Sequence, residues 1–423
     1  MITSPRLPWH ALICAVLAVS THAMAADGTD ALDLQSDAPG QTAGSDDSKL
    51  FVEGAVGHAR QRYGLGSRTI SRATVDARHV ARFAASTQAT LSARIDATDP
   101  QDARISGAVF SLREAYFGWQ DDAATHVVEF GRINLREGPG YGYNPTDFFR
   151  DHALRTITTV NPFTLRENRM GAVMLRAQRL WPGGSLAVAY APKLESRRSD
   201  EGFSADLGAT NARDRGLLTL SHRVTQALNA QALLYKEQGS SARVGASLTA
   251  LLSDAAVVHA EWSHSRESDL LSRALGLPGD THSEDRATVG VTYTTATRLS
   301  LTAEYQYNGF ALDRRGWRAL ESLGLPAQSA YYLQSQSLQD NAARHAVMLY
   351  AVQRDLGVKN LDLTGLVKLN RSDRSRMLWL DLRYRLDAFD VALQAQHNGG
   401  DAGSEFGIVP ARNSVGVVVT AYF

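Results

Sequence analysis

The lengths of the connections between strands, and the way they are sorted, constrain this chain more than any other feature. Period-two alternation marks strands at 50–63, 69–84, 88–97, 108–120, 125–134, 166–180, 185–194, 213–224 and 229–238. It marks others at 242–253, 255–265, 286–297, 299–309, 343–354, 360–371, 375–386, 390–398 and 411–423, eighteen in all. When the connections are taken alternately, one set is "STQ", "DDAA", "PGG", "TQAL", "SD", "AT", "LGVKN" and "AF", all tight turns. The other set holds every long connection: 98–107, 135–165, 195–212, 266–285, 310–342 and 399–410. A soluble sandwich has no reason to sort its loops by parity. A barrel that crosses a membrane does, because its short turns and long loops lie on opposite sides. With both chain ends on the short-turn side the strand count must be even, as eighteen is. The expected fold is all-β: a transmembrane antiparallel up-and-down β-barrel of about 18 strands.

The individual strands carry the alternation that such a wall requires. In 242–252, Val244, Ala246, Leu248, Ala250 and Leu252 share one face, and Arg243, Ser247 and Thr249 share the other. Leu299, Leu301, Ala303, Tyr305 and Tyr307 oppose Ser300, Thr302, Glu304, Gln306 and Asn308. Leu378, Leu380, Leu382 and Tyr384 oppose Asp381, Arg383 and Arg385, and Ala287, Val289, Val291 and Tyr293 oppose Arg286, Thr288 and Thr292. Two strands break the pattern. "VFSLREAYFGW" sets Arg113 beside Glu114, so neither face is free of charge, and "ARHAVMLYAVQ" is apolar on both. A bulge, or a wall packed against an inward loop, would account for either. A closed barrel leaves no unpaired edge in hydrocarbon, where each orphan amide costs several kcal/mol. Trp119, Trp181, Tyr293, Tyr307 and Tyr422, near strand ends, are candidates for interfacial girdles.

The N-terminus reads as an export signal. Arg6 precedes an apolar run from Ala11 to Val19, and Ala23-Met24-Ala25 forms a small-x-small cleavage site, so residues 1–25 are expected to be a cleaved signal peptide. The run is far shorter than the roughly 20 residues a spanning helix needs. The single cysteine, Cys14, lies inside the signal, so the mature chain is expected to hold no disulfide, thiolate nucleophile or cysteine-ligated metal. Losing Arg6 leaves 43 basic residues against 44 acidic ones, a balance that gives no reason to expect nucleic acid. Residues 26–48 are acidic and poor in aromatics, and read as a flexible periplasmic leader to a barrel over 49–423. Some two dozen residues cannot form the plug domain of an energy-coupled importer.

The densest unusual stretch is "REGPGYGYNPTDFFRDHALR", residues 136–155, in the third long-side connection. Together with "EFGRINLREGPGYGYNPTDFF" at 129–149, the "SLREAYFGW" strand before it and the terminal Phe423, it resembles the porin-like eighteen-stranded outer-membrane channels. That group includes alginate-export-type proteins and substrate-selective porins. The resemblance implies that Gly138 to Arg155 folds inward and narrows a pore, that the barrel-assembly machinery reads the strand ending in Phe423, and that the protein resides in the outer membrane among lipids and lipopolysaccharide. It transfers no solute.

The residues suit that place. Gly138, Gly140 and Gly142 around Pro139 let the chain turn sharply, Thr146 or Asp147 is placed to cap a short helical turn over DFFRDHALR, and Phe148 and Phe149 can hold that turn against the inner wall. The expected constriction comprises Arg132, Arg136, Glu137, Tyr141, Tyr143, Asp147, Arg150, Asp151, Arg155, Arg166 and Arg169, with Glu167 nearby. An arginine excess there favours anionic solutes; mutual pairing would instead make these charges structural. Charge counts leave both readings open. The expected lumen lining is of mixed sign: Arg223, Arg243, Arg286, Arg383 and Arg385 against Glu237, Glu261, Glu304 and Asp381. Trp317, Tyr331 and Tyr332 in the longest loop suit either solute contact or packing.

The function these features support is a channel for small hydrophilic solutes, without cofactor or metal. A surface-binding or assembly protein using loops 266–285 and 310–342 is the alternative. A barrel-embedded hydrolase fits less well, because Ser221-His222 and Ser263-His264 are adjacent on strands and point to opposite faces. The chain also lacks G-x-S-x-G and H-E-x-x-H.

Overall fold

The structure, a computed structural model, describes residues 48–99 and 107–423. The signal peptide, nearly all of the leader and most of the 98–107 connection lie outside the described residues. In chain order the first nine strands are β1 (Lys49–Gln61), β2 (Ser67–Ala84), β3 (Thr87–Asp99), β4 (Ala108–Gln120), β5 (His126–Ile133), β6 (Ala172–Trp181), β7 (Gly184–Ala191), β8 (Arg215–Thr225) and β9 (Leu228–Glu237). The remaining nine are β10 (Arg243–Ser253), β11 (Ala256–Glu267), β12 (His282–Thr294), β13 (Leu299–Asn308), β14 (His345–Gln353), β15 (Leu361–Asn370), β16 (Arg376–Arg385), β17 (Phe389–Gly399) and β18 (Ala411–Tyr422). Each strand pairs with its sequence neighbours, and β1 closes on β18 with Phe51 opposite Tyr422 and Gly57 opposite Gly416. The result is a closed, all-antiparallel barrel of 18 strands, as the parity of the connections requires.

The alternation read from sequence is the alternation of burial. Leu248, Leu301, Val289, Leu380 and Val417 lie exposed on the outer face, while Ser247, Thr302, Thr288, Asp381 and Val418 are buried on the inner one. An exterior of leucine, valine and phenylalanine is a poor match for water and a good one for hydrocarbon. Among the described residues no helix is long and apolar enough to cross a membrane; the strands are what could cross. Trp119, Trp181 and Tyr293 are exposed on the outer face at the short-turn end. Tyr422 departs from the girdle expectation: it shares the inner face with Thr420 and donates its hydroxyl to Asp390 at 2.9 Å.

Both irregular strands have physical causes. Ser92 faces Glu114 and Ala93 faces Leu112, so Arg113 is the extra residue of a bulge in β4. The bulge lets neighbouring residues both turn inward: Arg113 donates to Ser92 Oγ at 3.0 Å and pairs with Asp76, while Glu114 lies 3.5 Å from Arg78. In β14, Met348 and Tyr350 on the inner face pack with Tyr141, Leu366, Met377, Trp379 and Phe406, which explains why this strand is apolar on both sides.

Two sequence expectations are corrected. Residues 166–171 are not strand, because Pro162 at a helix start and an Asn161 cap accepting from the Phe163 amide form α1 (Pro162–Glu167) instead. The helical turn expected over 147–155 is absent: that stretch makes successive turns, and Asp147, rather than capping, engages Arg166 and Arg169. Short helices also occupy three of the other long connections: α2 (Leu207–Thr210), α3 (Leu270–Leu275), and α4 (Arg314–Ser322) with α5 (Leu325–Leu338). Trp317 and Tyr331 meet edge-to-face at 5.4 Å in a cluster with Leu270 and Leu320, so both serve packing.

Candidate functional site

The segment 134–171 is held by inner-face carboxylates that accept its backbone amides. Glu261 of β11, fully buried, accepts from Gly140 N at 2.6 Å, Asn144 Nδ2 at 3.0 Å, Thr146 N at 3.2 Å and Thr146 Oγ1 at 2.7 Å. Glu304 of β13 accepts from the amides of Tyr141 and Gly142 and lies 2.8 Å from His259 Nε2. Thr288 of β12 donates to Tyr143 O at 3.0 Å. Such close approach of chain to wall is why glycine is needed. A Cβ on Gly138, whose φ is +86°, would fall 2.3 Å from Glu261 Oε2, and one on Gly142 would fall 2.2 Å from Met348 Sδ.

A second knot joins this segment to the 309–344 connection. Asp340 accepts from Tyr143 Oη at 2.6 Å and pairs with Arg150 at 3.1 Å and Arg286 at 3.3 Å; Arg286 also pairs with Glu267 at 3.1 Å. Burial by itself would raise the Asp340 carboxyl, and the two guanidiniums outweigh it and hold it below its ordinary value. Nearby, His152 Nδ1 lies 2.7 Å from Ser337 Oγ, and burial pushes the imidazole down to about 4. On the β8–β9 side Phe148 stacks on Tyr235 at 5.0 Å and Phe149 meets the same ring edge-on at 5.8 Å. The later part of the segment docks on β2–β4: Thr156 Oγ1 donates to Asp96 at 2.8 Å, and Arg94 reaches Thr158 Oγ1 at 3.2 Å.

Five of the arginines singled out from sequence, Arg132, Arg150, Arg155, Arg166 and Arg169, are engaged by protein. Arg166 donates to the carbonyls of Glu137 and Gly138, Arg169 pairs with Asp147 at 2.5 Å, and burial pushes Arg169 down to about 10 against the pull of Asp147. Arg155 caps carbonyls of Phe110, Glu201, Gly202 and Ser204. Arg132 lies opposite Ala115 and Val173, on outward positions, and is sealed under the 192–214 connection by the carbonyls of Leu112 and Ala205. Tyr141 and Tyr143 are buried, Glu137 accepts from Gln231 at 3.0 Å, and Arg136 and Asp151 are partly buried. Arg223, Arg243, Arg286, Arg383, Arg385, Glu237, Glu261, Glu304 and Asp381 all fall on inward positions of the pairing register.

Residues that the sequence reading did not single out complete the site. His259 and Ser263 sit on the inward parity of β11 with Glu261, so the strand pattern carried that signal. Asp340 and Glu267 stood in or beside stretches read as loop, where no periodicity could mark them. Asp76, Arg94 and Asp96 form a buried cluster across β2 and β3. The serine–histidine neighbours separate as strands demand: Ser263 is buried inside, and His264 lies 2.8 Å from Asp285.

The cavity left among Pro145, Asp147, Arg243, Ser263 and Arg286 is about 10 Å³, room for one water. β2 presents Arg68, Arg72, Arg78 and Arg82 on its inner face, with Asp76 the single carboxylate among them; Arg68 and Arg82 are exposed, whereas Arg72 donates to the carbonyl of Thr158 in the docked segment.

No family model matches the sequence, and no curated protein matches it. Solved structures do match in shape. Acinetobacter baumannii OccAB1 is 11% identical, with a TM-score of 0.58 over 92% of this chain and 99% of its own. Pseudomonas putida OprB is 11% identical, with a TM-score of 0.51 over 89% of this chain and 94% of its own. The shared property is the fold, the closed barrel of outer-membrane porins.

Proposed function

We propose that this protein is an outer-membrane channel through which small hydrophilic solutes pass without energy coupling, and that anions pass preferentially. The observation that carries the proposal is the closed 18-strand wall, apolar outside and polar inside. A barrel of that size is wide enough to leave an aqueous path unless it is filled. In this reading the segment 134–171 narrows the path. Arg150, Arg155, Arg166 and Arg169 of that segment are tied into ion pairs and carbonyl caps, so they act as scaffold. Selectivity then falls to the arginine row on the inner face of β2. Arg72 pairs with Glu53 and Arg78 lies 3.5 Å from Glu114, so the row is partly compensated and predicts a preference rather than a strict filter.

The test is the reversal potential of purified protein in a planar bilayer under a potassium chloride gradient. The expected sign is that of chloride preference, and Arg68→Gln with Arg78→Gln should move it toward zero. Deleting 138–155 should raise the single-channel conductance. Silence in the bilayer from both the intact chain and the deletion would overturn the channel assignment.

A further inference from the structure

We propose that the long-loop rim between β14 and β1 binds the phosphate groups of a phosphorylated glycolipid headgroup in the outer leaflet. The proposal rests on the outer-membrane reading above. At the seam where β1 meets β18, a cleft of about 370 Å³ is lined by Arg60, Gln61, Arg62, Tyr63, Ala402 and Arg412. A register shift at Arg60/Gln61 in the β1–β18 pairing opens it: Arg60 faces Asn413 and Gln61 faces Ala411, leaving Arg412 as the extra residue. No carboxylate lines the cleft. Arg60 and Arg412 are exposed, and among the described residues neither guanidinium has a hydrogen-bond or ion-pair partner. Arg62 is fixed by the carbonyls of Asn398 and Gly400, yet its Nε is buried without a partner.

The same rim segregates charge by face. Arg371, Arg374 and Arg376, at the top of β15 and β16, are exposed, and among the described residues their guanidiniums have no hydrogen-bond or ion-pair partner. The carboxylates of these turns point the other way. Glu405 is buried and accepts from Asn370 Nδ2 at 3.0 Å, while Asp373 accepts from the amides of Glu405 and Ser375. Asp401 is the one exposed carboxylate in 400–410. Five exposed guanidiniums without an ion-pair partner among the described residues thus share one sector of the long-loop rim. Directly below them the wall is hydrocarbon-like, with Val56, Leu378, Leu380, Leu393, Val415 and Val417 exposed. A row of cations just above an apolar belt stands where lipid phosphates lie, and guanidinium binds phosphate in charge-assisted, often bidentate geometry. Free phosphate would satisfy the charges but not the apolar surface beneath them, which favours the lipid.

The test uses detergent-purified full-length protein and native mass spectrometry with three probes: bisphosphorylated lipid A, the same lipid with both phosphates removed, and inorganic phosphate. Retention of the bisphosphorylated form alone is expected. It should fall at least about tenfold in a variant carrying Arg60→Gln, Arg376→Gln and Arg412→Gln, as the loss of one or more charge-assisted contacts requires. The single change Arg412→Gln, expected to cost roughly threefold, keeps the test open if the triple variant folds poorly. Equal retention of the phosphate-free lipid, undiminished binding by the folded variants, or binding of inorganic phosphate without the lipid would each overturn the proposal. Bilayer conductance does not depend on these outer arginines, so loss of lipid binding with intact conductance separates this failure from failure of the channel reading.

Discussion

Glu261 shows how one side chain can set the path of a loop. Its two oxygens take four donors from Gly140, Asn144 and Thr146, all out of contact with water. Removing the carboxylate leaves those donors buried and unsatisfied, a loss that costs more than a net hydrogen bond contributes. Glu261→Ala should therefore destabilise the folded barrel by about 3 kcal/mol in urea unfolding from detergent micelles. The same variant should show noisier current, because the turn it anchors is released. At this scale the sequence was informative in part. Parity placed Glu261 and Glu304 inside, and the glycines around Pro139 announced a tight turn. That the carboxylates meet those glycines' amides was not readable, because residues 121 and more positions apart meet only when the wall closes.

Among elements, the contact between 134–171 and 309–344 is the one that responds to pH. His152 Nδ1 lies on Ser337 Oγ, and its amide donates to Ser337 O at 2.8 Å. Because burial depresses the imidazole to about 4, the docked state holds it neutral while a released loop would bind a proton at its ordinary value near 6.5. The released state therefore binds more protons between those two values, and docking weakens as pH falls from about 6.5 to about 4, then stays constant. Current fluctuations should increase on acidification across that window, and His152→Asn should flatten the dependence. A variant that kept the full pH response would show that another contact controls it. The strands were legible at this scale because a half-buried strand imposes period two on its own residues. The helices of the long connections were not, since α1 and α4 owe their ends to Asn161 and Asp313 caps within stretches that otherwise read as loop.

For the whole molecule, the outward and inward faces should tolerate charge very differently. Val417→Arg, mid-strand and outward opposite Val56, should reduce stability in a bilayer by about 2–4 kcal/mol, whereas Gln396→Arg on the inner face should change it little. Equal costs at both positions, measured by unfolding from lipid vesicles, would contradict a membrane-facing exterior. The sequence by itself determined a barrel of about 18 strands, the sorting of turns and long loops, and most inward and outward positions, Tyr422 and Arg132 excepted, because each follows from local alternation and connection length. Only the tertiary structure decided that Arg132, Arg150, Arg155, Arg166 and Arg169 are tied into ion pairs and carbonyl caps, while Arg68 of β2 is left exposed on an inward position. It also placed unmatched arginines on the outer rim. The physical reason is that ion pairing is settled by distance across the closed barrel, and the order of residues along the chain does not record that distance.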